Sequence, residues 1–185
     1  MRDLAARHGI SLPEDVDLIF HASEQSLLAR KADLSERGHV LPGAREALDA
    51  LAHVDGLVQS VLTGNIRPNG FTKLDAFGLA GSPLDWDIGA FGSDDHVRAN
   101  LVSVAQRRAA RKYGASFARE NTVLIGDTPN DVRAGLDGGA KVVAVASGSD
   151  SAEVLADAGA DAVLSSLADT AAFLTAIKSY VPHTY

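Results

Sequence analysis

The stretch Thr122-Val-Leu-Ile-Gly-Asp-Thr-Pro-Asn-Asp131 constrains the fold of this chain more than any other. Val123-Leu124-Ile125 is a short apolar run, β-branched in part and stopped by Gly126, and it reads as a buried parallel strand. Pro129 suits the first turn of a helix, where a missing amide has no hydrogen bond to lose. Asp127 is therefore expected at the carboxyl end of a strand, and Asp131 one helical turn into the next element. Ligands of open α/β sheets bind at that edge. Two carboxylates held there repel each other unless a cation joins them. A hard cation such as Mg²⁺ accepts one or two carboxylates together with phosphate oxygens. Asp131 also fits a plainer description, an acidic residue favoured by the dipole of a helix N-terminus.

Composition removes several alternatives. At 185 residues the chain can bury one domain core, with room for a small satellite. It has no cysteine, so disulfides, thiolate metal sites and thiol catalysis are excluded. The histidines at 8, 21, 39, 53, 96 and 183 are scattered, which disfavours zinc. A net charge of −7 disfavours nucleic acid or an anionic membrane as partner. No apolar run approaches the ~18 residues of a membrane span, and Met1–His8 has no apolar signal core. A cytoplasmic location is the expectation.

The rest of the chain places the motif in a framework. Residues 1–38 read as helical, with a start at Pro13-Glu-Asp15 and an apolar face of Val16, Ile19, Phe20, Ser23, Leu27 and Leu28. Gly38-His-Val-Leu-Pro-Gly43 interrupts that pattern and marks a linker. Helices are then expected at 44–52, 71–77, 97–113, 129–135, 152–158 and 167–178. Strands are expected at 57–62, 88–91, 123–126, 141–146 and 162–164. Leu101, Val104, Ala105 and Ala109 form the inward face of the helix at 97–113. Arg107, Arg108, Arg111 and Lys112 form a basic stripe that reads as solvated. Ser166 and Asp169 resemble a capping pair for the last helix. Strands alternating with helices imply an α/β fold with a doubly wound parallel sheet.

A second strand end, Thr63-Gly64-Asn65, would lie on the same edge. It offers a hydroxyl, a close backbone approach and amide donors to an anion at a helix start. The same residues also make an ordinary turn. Gly148 and its neighbouring serines could approach a ligand, but a surface turn is the preferred reading.

Leu41-Pro-Gly-Ala-Arg-Glu-Ala-Leu48, Val61-Leu-Thr-Gly-Asn65 and Val123–Asp131, in this order, resemble the haloacid dehalogenase-like (HAD) hydrolases. The resemblance runs from about residue 40 to the C-terminus, includes Ala158-Gly-Ala-Asp-Ala-Val-Leu164, and is nearest to the phosphoglycolate phosphatase-type branch. It implies a Rossmann-like core with a helical cap, Mg²⁺, and phosphoryl transfer through an aspartyl-phosphate on a small phosphorylated metabolite. It makes Thr63 a catalytic phosphate-binding hydroxyl with Gly64 and Asn65 beside it. Asp127 and Asp131 become the Mg²⁺ ligands. Arg98 becomes the cation that neutralises the phosphoryl group, a match by position and charge, since no lysine lies between Lys73 and Lys112. On this basis residues 1–38 are a partial helical cap and residues 39–185 the core.

The chain departs from the family at one point. The family's first motif, Asp-x-Asp-x-Thr/Val after the first strand, supplies the nucleophile and the general acid/base. Neither Asp15-Val-Asp17 nor Asp85-Trp-Asp87 follows an apolar strand, and both are rejected. The expectation is a chain that begins within the cap, has negligible turnover, and lacks the strand between those ending at Thr63 and Asp127. Those two strands must then pair directly, accept another segment between them, or leave the sheet frayed. The alternatives to a phosphatase are a non-catalytic phosphate- or protein-binding module and a truncated fragment.

Overall fold

A computed structural model describes residues 15–81 and 83–180. Met1–His8, Pro13, Glu14 and His183 lie outside the described residues. The described elements run α1 (Val16–Leu28), α2 (Lys31–Arg37), α3 (Ala44–Leu51), β1 (Leu62–Thr63), α4 (Arg67–Asp75), β2 (Ala90–Phe91), α5 (Asn100–Tyr113), β3 (Val123–Gly126), α6 (Pro129–Gly138), β4 (Lys141–Val145), α7 (Ala152–Asp157), β5 (Ala162–Leu164) and α8 (Thr170–Lys178). The strands are parallel and alternate with helices, so the chain is an α/β protein of Rossmann-like build.

The sheet comes in two pieces. β3, β4 and β5 form one, in sequence order, and β1 pairs only with β2 in the other. Of the three possibilities left by the sequence, direct pairing of the Thr63 and Asp127 strands is not found. The reason is visible in the lengths. The strand expected over 57–62 pairs regularly only at Leu62–Thr63, with an isolated bridge from Gln59 to Leu84, and the strand expected over 88–91 is confined to Ala90–Phe91. Two-residue strands offer few ladder bonds.

The main core sits on β4. Successive side chains of a strand alternate between faces, and here both faces are buried. Val143 and Val145 pack with Ala47 and Leu51 of α3 and with Phe173 and Ile177 of α8. Val142 and Ala144 pack with Val132 of α6 and Leu155 of α7. Burying each of the larger side chains contributes about 1.5–3 kcal/mol. No residue of α1 or α2 is fully buried. These two helices lie against α4, with an ion pair between Lys31 and Asp75.

α5 joins the two pieces, packing on β1 and β2 and also on α6. Gln106 donates to Thr122 Oγ1 and to the Gly139 carbonyl. Leu101, Val102 and Ala109 are its buried residues, while Val104 and Ala105 are only half-buried. The basic stripe is not simply solvated. Arg108 forms a two-pronged pair with Asp94, 2.7 Å at each prong, and Lys112 reaches both Asp85 (2.8 Å) and Asp87 (3.0 Å). The rejected Asp85-Trp-Asp87 thus serves to anchor the loop before β2. The Arg108 hydrogen bonds hold the Asp94 carboxyl below the usual carboxylate range. For Asp85, burial pushes the other way but is outweighed by the bonds from Lys112 and Tyr113.

Several element ends also shift. α4 begins earlier than expected, at Arg67, because Pro68 fits its first turn. α5 starts at Asn100, three residues later than expected, because Asp95 accepts from the Val97 amide and the Asn100 side chain and holds a turn there. α8 begins at Thr170, with Asp169 rather than Ser166 as its cap: Asp169 accepts from the Ala172 amide, and Ser166 accepts from the Ala168 amide within the preceding turn. Asp15 caps α1 by accepting from the Asp17 amide.

Candidate active site

At the end of β1, the Thr63 Oγ1 accepts from the Asn65 amide at 3.2 Å and from Asn65 Nδ2 at 2.8 Å. Lys73 of α4 donates to Asn65 Oδ1 at 2.9 Å, which fixes the direction of that side-chain amide. A hydroxyl that accepts two hydrogen bonds still has its own proton to give. Thr63 is half-buried and, with its lone pairs already engaged, presents an O–H donor. A Cβ added at Gly64 would meet nothing within 4 Å, so the space above this loop is open.

At the end of β3, Thr128 caps α6 by accepting from the Asp131 amide at 3.2 Å, and its hydroxyl donates to Asp131 Oδ2 at 2.7 Å. Arg98 donates to the other oxygen, Oδ1, at 2.5 Å. Asp131 is 8% exposed, while the Arg98 side chain is 43% exposed. A buried carboxylate needs partners, and these two supply them. Gly126 makes room for this arrangement, since a Cβ there would stand 2.3 Å from the Cβ of Asp131. Its value as a strand stop was legible in the sequence, whereas its role as a seat for Asp131 required the fold.

Asp127, half-buried, follows on the same strand end. Among the described residues nothing donates to its carboxylate. Gly148, after β4, lies against it: a Cβ at Gly148 would come within 2.5 Å of Asp127 Oδ2. The adjacent Ser147 hydroxyl is buried with no hydrogen-bond partner. The Ser147-Gly148 turn is therefore part of the wall around Asp127. Among the described residues no group of three or more His, Asp or Glu is placed to hold a metal. Asp127 and Asp131 are carboxylates of the kind that Mg²⁺ takes, one or two at a time, when phosphate oxygens and water complete its shell.

The two strand ends are joined by the loop after β2. The Gly92 amide donates to the Asn65 carbonyl at 2.9 Å, and a Cβ at Gly92 would stand 2.0 Å from the Gly64 carbonyl oxygen. Asp94 accepts from the Phe91 amide and pairs with Arg108, which pins the loop to α5. Arg98 then follows immediately before α5 and reaches Asp131. The structure thus brings Arg98 to Asp131 and connects Thr63, Gly64 and Asn65 to them through Gly92. Sequence reasoning missed Gly92, Asp94 and Thr128. The threonine before Pro129 was readable as a helix cap, but the other two have meaning only through contacts distant in sequence.

A family model described as HAD-hydrolase-like matches residues 98–170, which include Arg98, Asp127 and Asp131. No curated protein sequence matches the chain. Among solved structures, a HAD family hydrolase from Deinococcus radiodurans R1 with bound phosphate and sodium is 26% identical, with a TM-score of 0.58, over 98% of this chain and 75% of that one. A protein described as a beta-phosphoglucomutase from Bacteroides vulgatus is 19% identical, with a TM-score of 0.65, over 97% of this chain and 68% of that one. A predicted phosphoglycolate phosphatase from Haemophilus somnus is 20% identical, with a TM-score of 0.62, over 92% and 72% respectively.

Proposed function

We propose that this chain is a HAD-like hydrolase and carries the phosphate- and Mg²⁺-binding part of a phosphatase site for small phosphate esters. The observation that carries the reading is the Arg98–Asp131 contact at the end of β3, linked through the Gly92 loop to the donor-ready Thr63 at the end of β1. In this reading Thr63 donates its proton to a phosphoryl oxygen, with Asn65 and Lys73 holding it in place. Arg98 neutralises charge on the phosphoryl group while orienting Asp131. Asp127 and Asp131 hold Mg²⁺, which when bound offsets phosphoryl charge and orients the group. The Deinococcus relative's bound phosphate supports an anion site in this fold. Residues 1–38 are proposed as a partial helical cap over the core of residues 39–185.

Catalysis through an aspartyl-phosphate needs a carboxylate that attacks phosphorus. The given sequence has no Asp-x-Asp-x-Thr/Val to supply it, so negligible turnover is expected of this chain. A generic aryl phosphate assayed with Mg²⁺ should give no hydrolysis, while Mg²⁺ plus inorganic phosphate should raise Tm. Hydrolysis abolished by Asp127→Asn would reveal a nucleophile in the chain. No Tm shift would count against the site itself. The second reading, a module that binds phosphate without chemistry, is favoured by the same missing motif. It is separated from the first by adding an HAD first-strand segment bearing Asp-x-Asp-x-Thr: restored turnover supports the phosphatase, and continued inactivity in a folded, phosphate-binding protein supports the module.

A further inference from the structure

We propose that a second copy of this chain docks on the aromatic face formed by α4, the loop before β2 and the end of α5, and that the contact braces the two-stranded piece of the sheet. α4 presents two sets of side chains, each at a spacing of four residues. Asn69 and Lys73 turn toward Ser23 of α1 and toward Asn65. Arg67 and Phe71 lie on another side of the helix. There Phe71 packs against Trp86 with ring centroids 5.2 Å apart, Trp86 stacks on Phe91 of β2, and the Arg67 guanidinium lies over the same Phe91 ring at 5.9 Å. Tyr113, at the end of α5, donates to Asp85 beside Trp86.

Among the described residues the exposed Phe and Tyr side chains are Phe71 and Tyr113, and both belong to this face. Interfaces between proteins concentrate aromatic side chains and Arg, which bury much area in few conformations.

The charges select a second copy as the occupant. The chain carries −7 overall, so two copies repel unless they meet where charge balances. This face sets Arg67 and Lys112 against Asp85 and Asp87, through contacts of 3.4 Å (Arg67–Asp87), 2.8 Å (Lys112–Asp85) and 3.0 Å (Lys112–Asp87). Across a two-fold axis a residue of one copy meets a different residue of the other, and the reverse contact repeats it. Arg67 of each copy can then pair with Asp87 of the other while Phe71 packs about the axis. A strongly basic or acidic partner finds no excess of opposite charge here. The contact falls on the weaker half of the sheet, where β1 and β2 pair over two residues each.

Sedimentation velocity on the full chain between about 1 and 100 µM should show a monomer–dimer equilibrium, the range in which a modest interface dissociates. Tm should rise with concentration over that range. Phe71→Ser should weaken the dimer at least about tenfold, as expected on losing an anchoring aromatic. Arg67→Glu and Asp87→Arg should each be monomeric alone, and mixing the two should restore a dimer with one copy of each, since both cross pairs become attractive. Their side chains are 53% and 69% exposed, so each variant should keep the wild-type circular dichroism spectrum. A chain that stays monomeric at the top of the range, a dimer untouched by Phe71→Ser, or a mixture that stays monomeric overturns the proposal and leaves the face to solvent or to a different partner. None of these outcomes bears on the phosphatase reading, which the response to Mg²⁺ and phosphate tests separately.

Discussion

β3–β5 and β1–β2 are both parallel, and each carries one end of the candidate site, yet they are held by different forces. The three-stranded piece rests on β4, whose Val142, Val143, Ala144 and Val145 are buried between helices on both faces. The two-stranded piece has two residues per strand and depends on its surroundings. Arg108 ties Asp94, Lys112 ties Asp85 and Asp87, and Trp86 lies parallel to Phe91 with centroids 5.9 Å apart. Hydrophobic burial is non-directional and large in sum. Ion pairs and hydrogen bonds contribute less each, but they fix direction. The acidic end of the site therefore sits on a scaffold built by burial, and the hydroxyl end on one aligned by polar staples.

Four variants can break or sharpen that contrast, from the largest expected effect to the smallest. Phe173→Ala should destabilise by about 3–5 kcal/mol, since Phe173 is 1% exposed in the core against β4. Denaturant titration measures it, and a loss below about 1 kcal/mol would show that β4 is not the main support. Gly126→Ala places a Cβ where Asp131 sits, so about 1–3 kcal/mol should be lost. The rise of Tm with Mg²⁺ and phosphate should shrink with it. An unchanged ligand response would mean that Asp131 is not a ligand.

Asp94→Asn should cost about 1 kcal/mol at neutral pH, reduced from a buried-pair figure because Arg108 is partly exposed to solvent screening. The folded Asp94 has a pKa below its unfolded value, so its contribution is present in full above the unfolded pKa of about 3.9. It fades as pH falls through the folded value. The gap in stability between wild type and Asp94→Asn should therefore begin to shrink below about pH 4 and close only once pH has fallen through the lower folded value. A gap that persists there would assign the stapling to something other than the ion pair. Ser147→Ala should change stability by less than about 0.5 kcal/mol, because the buried hydroxyl has no partner to lose. A collapse of the phosphate response in that variant would place Ser147 in the site beside Asp127.

The long motif was readable because its logic is local. Val123–Gly126 is a strand, Thr128 and Pro129 start the next helix, and both steps depend on residues adjacent in sequence. β4 and β5 were readable for the same reason. The basic face of α5 was misread because Arg108 and Lys112 find their partners 14 and 25–27 residues away. A helix periodicity cannot report such contacts. The strands before Thr63 and Gly92 were over-extended, because apolar composition signals burial but does not supply the neighbour that makes a ladder.

By itself the sequence determined the alternation of strands and helices, the placing of Asp127 and Asp131 at a strand end, and the lack of a thiol or Asp-x-Asp-x-Thr/Val nucleophile. Hydrophobic period, turn chemistry and residue type are sufficient for each of these. Only the tertiary structure decided that the sheet divides between β1 and β3, that Arg98 reaches Asp131, and that Asn65 and Lys73 orient Thr63. It alone showed that Gly126 and Gly92 are places where no Cβ fits. Those outcomes depend on pairings across long sequence separations, where packing and the satisfaction of buried polar groups select a partner that no local pattern encodes.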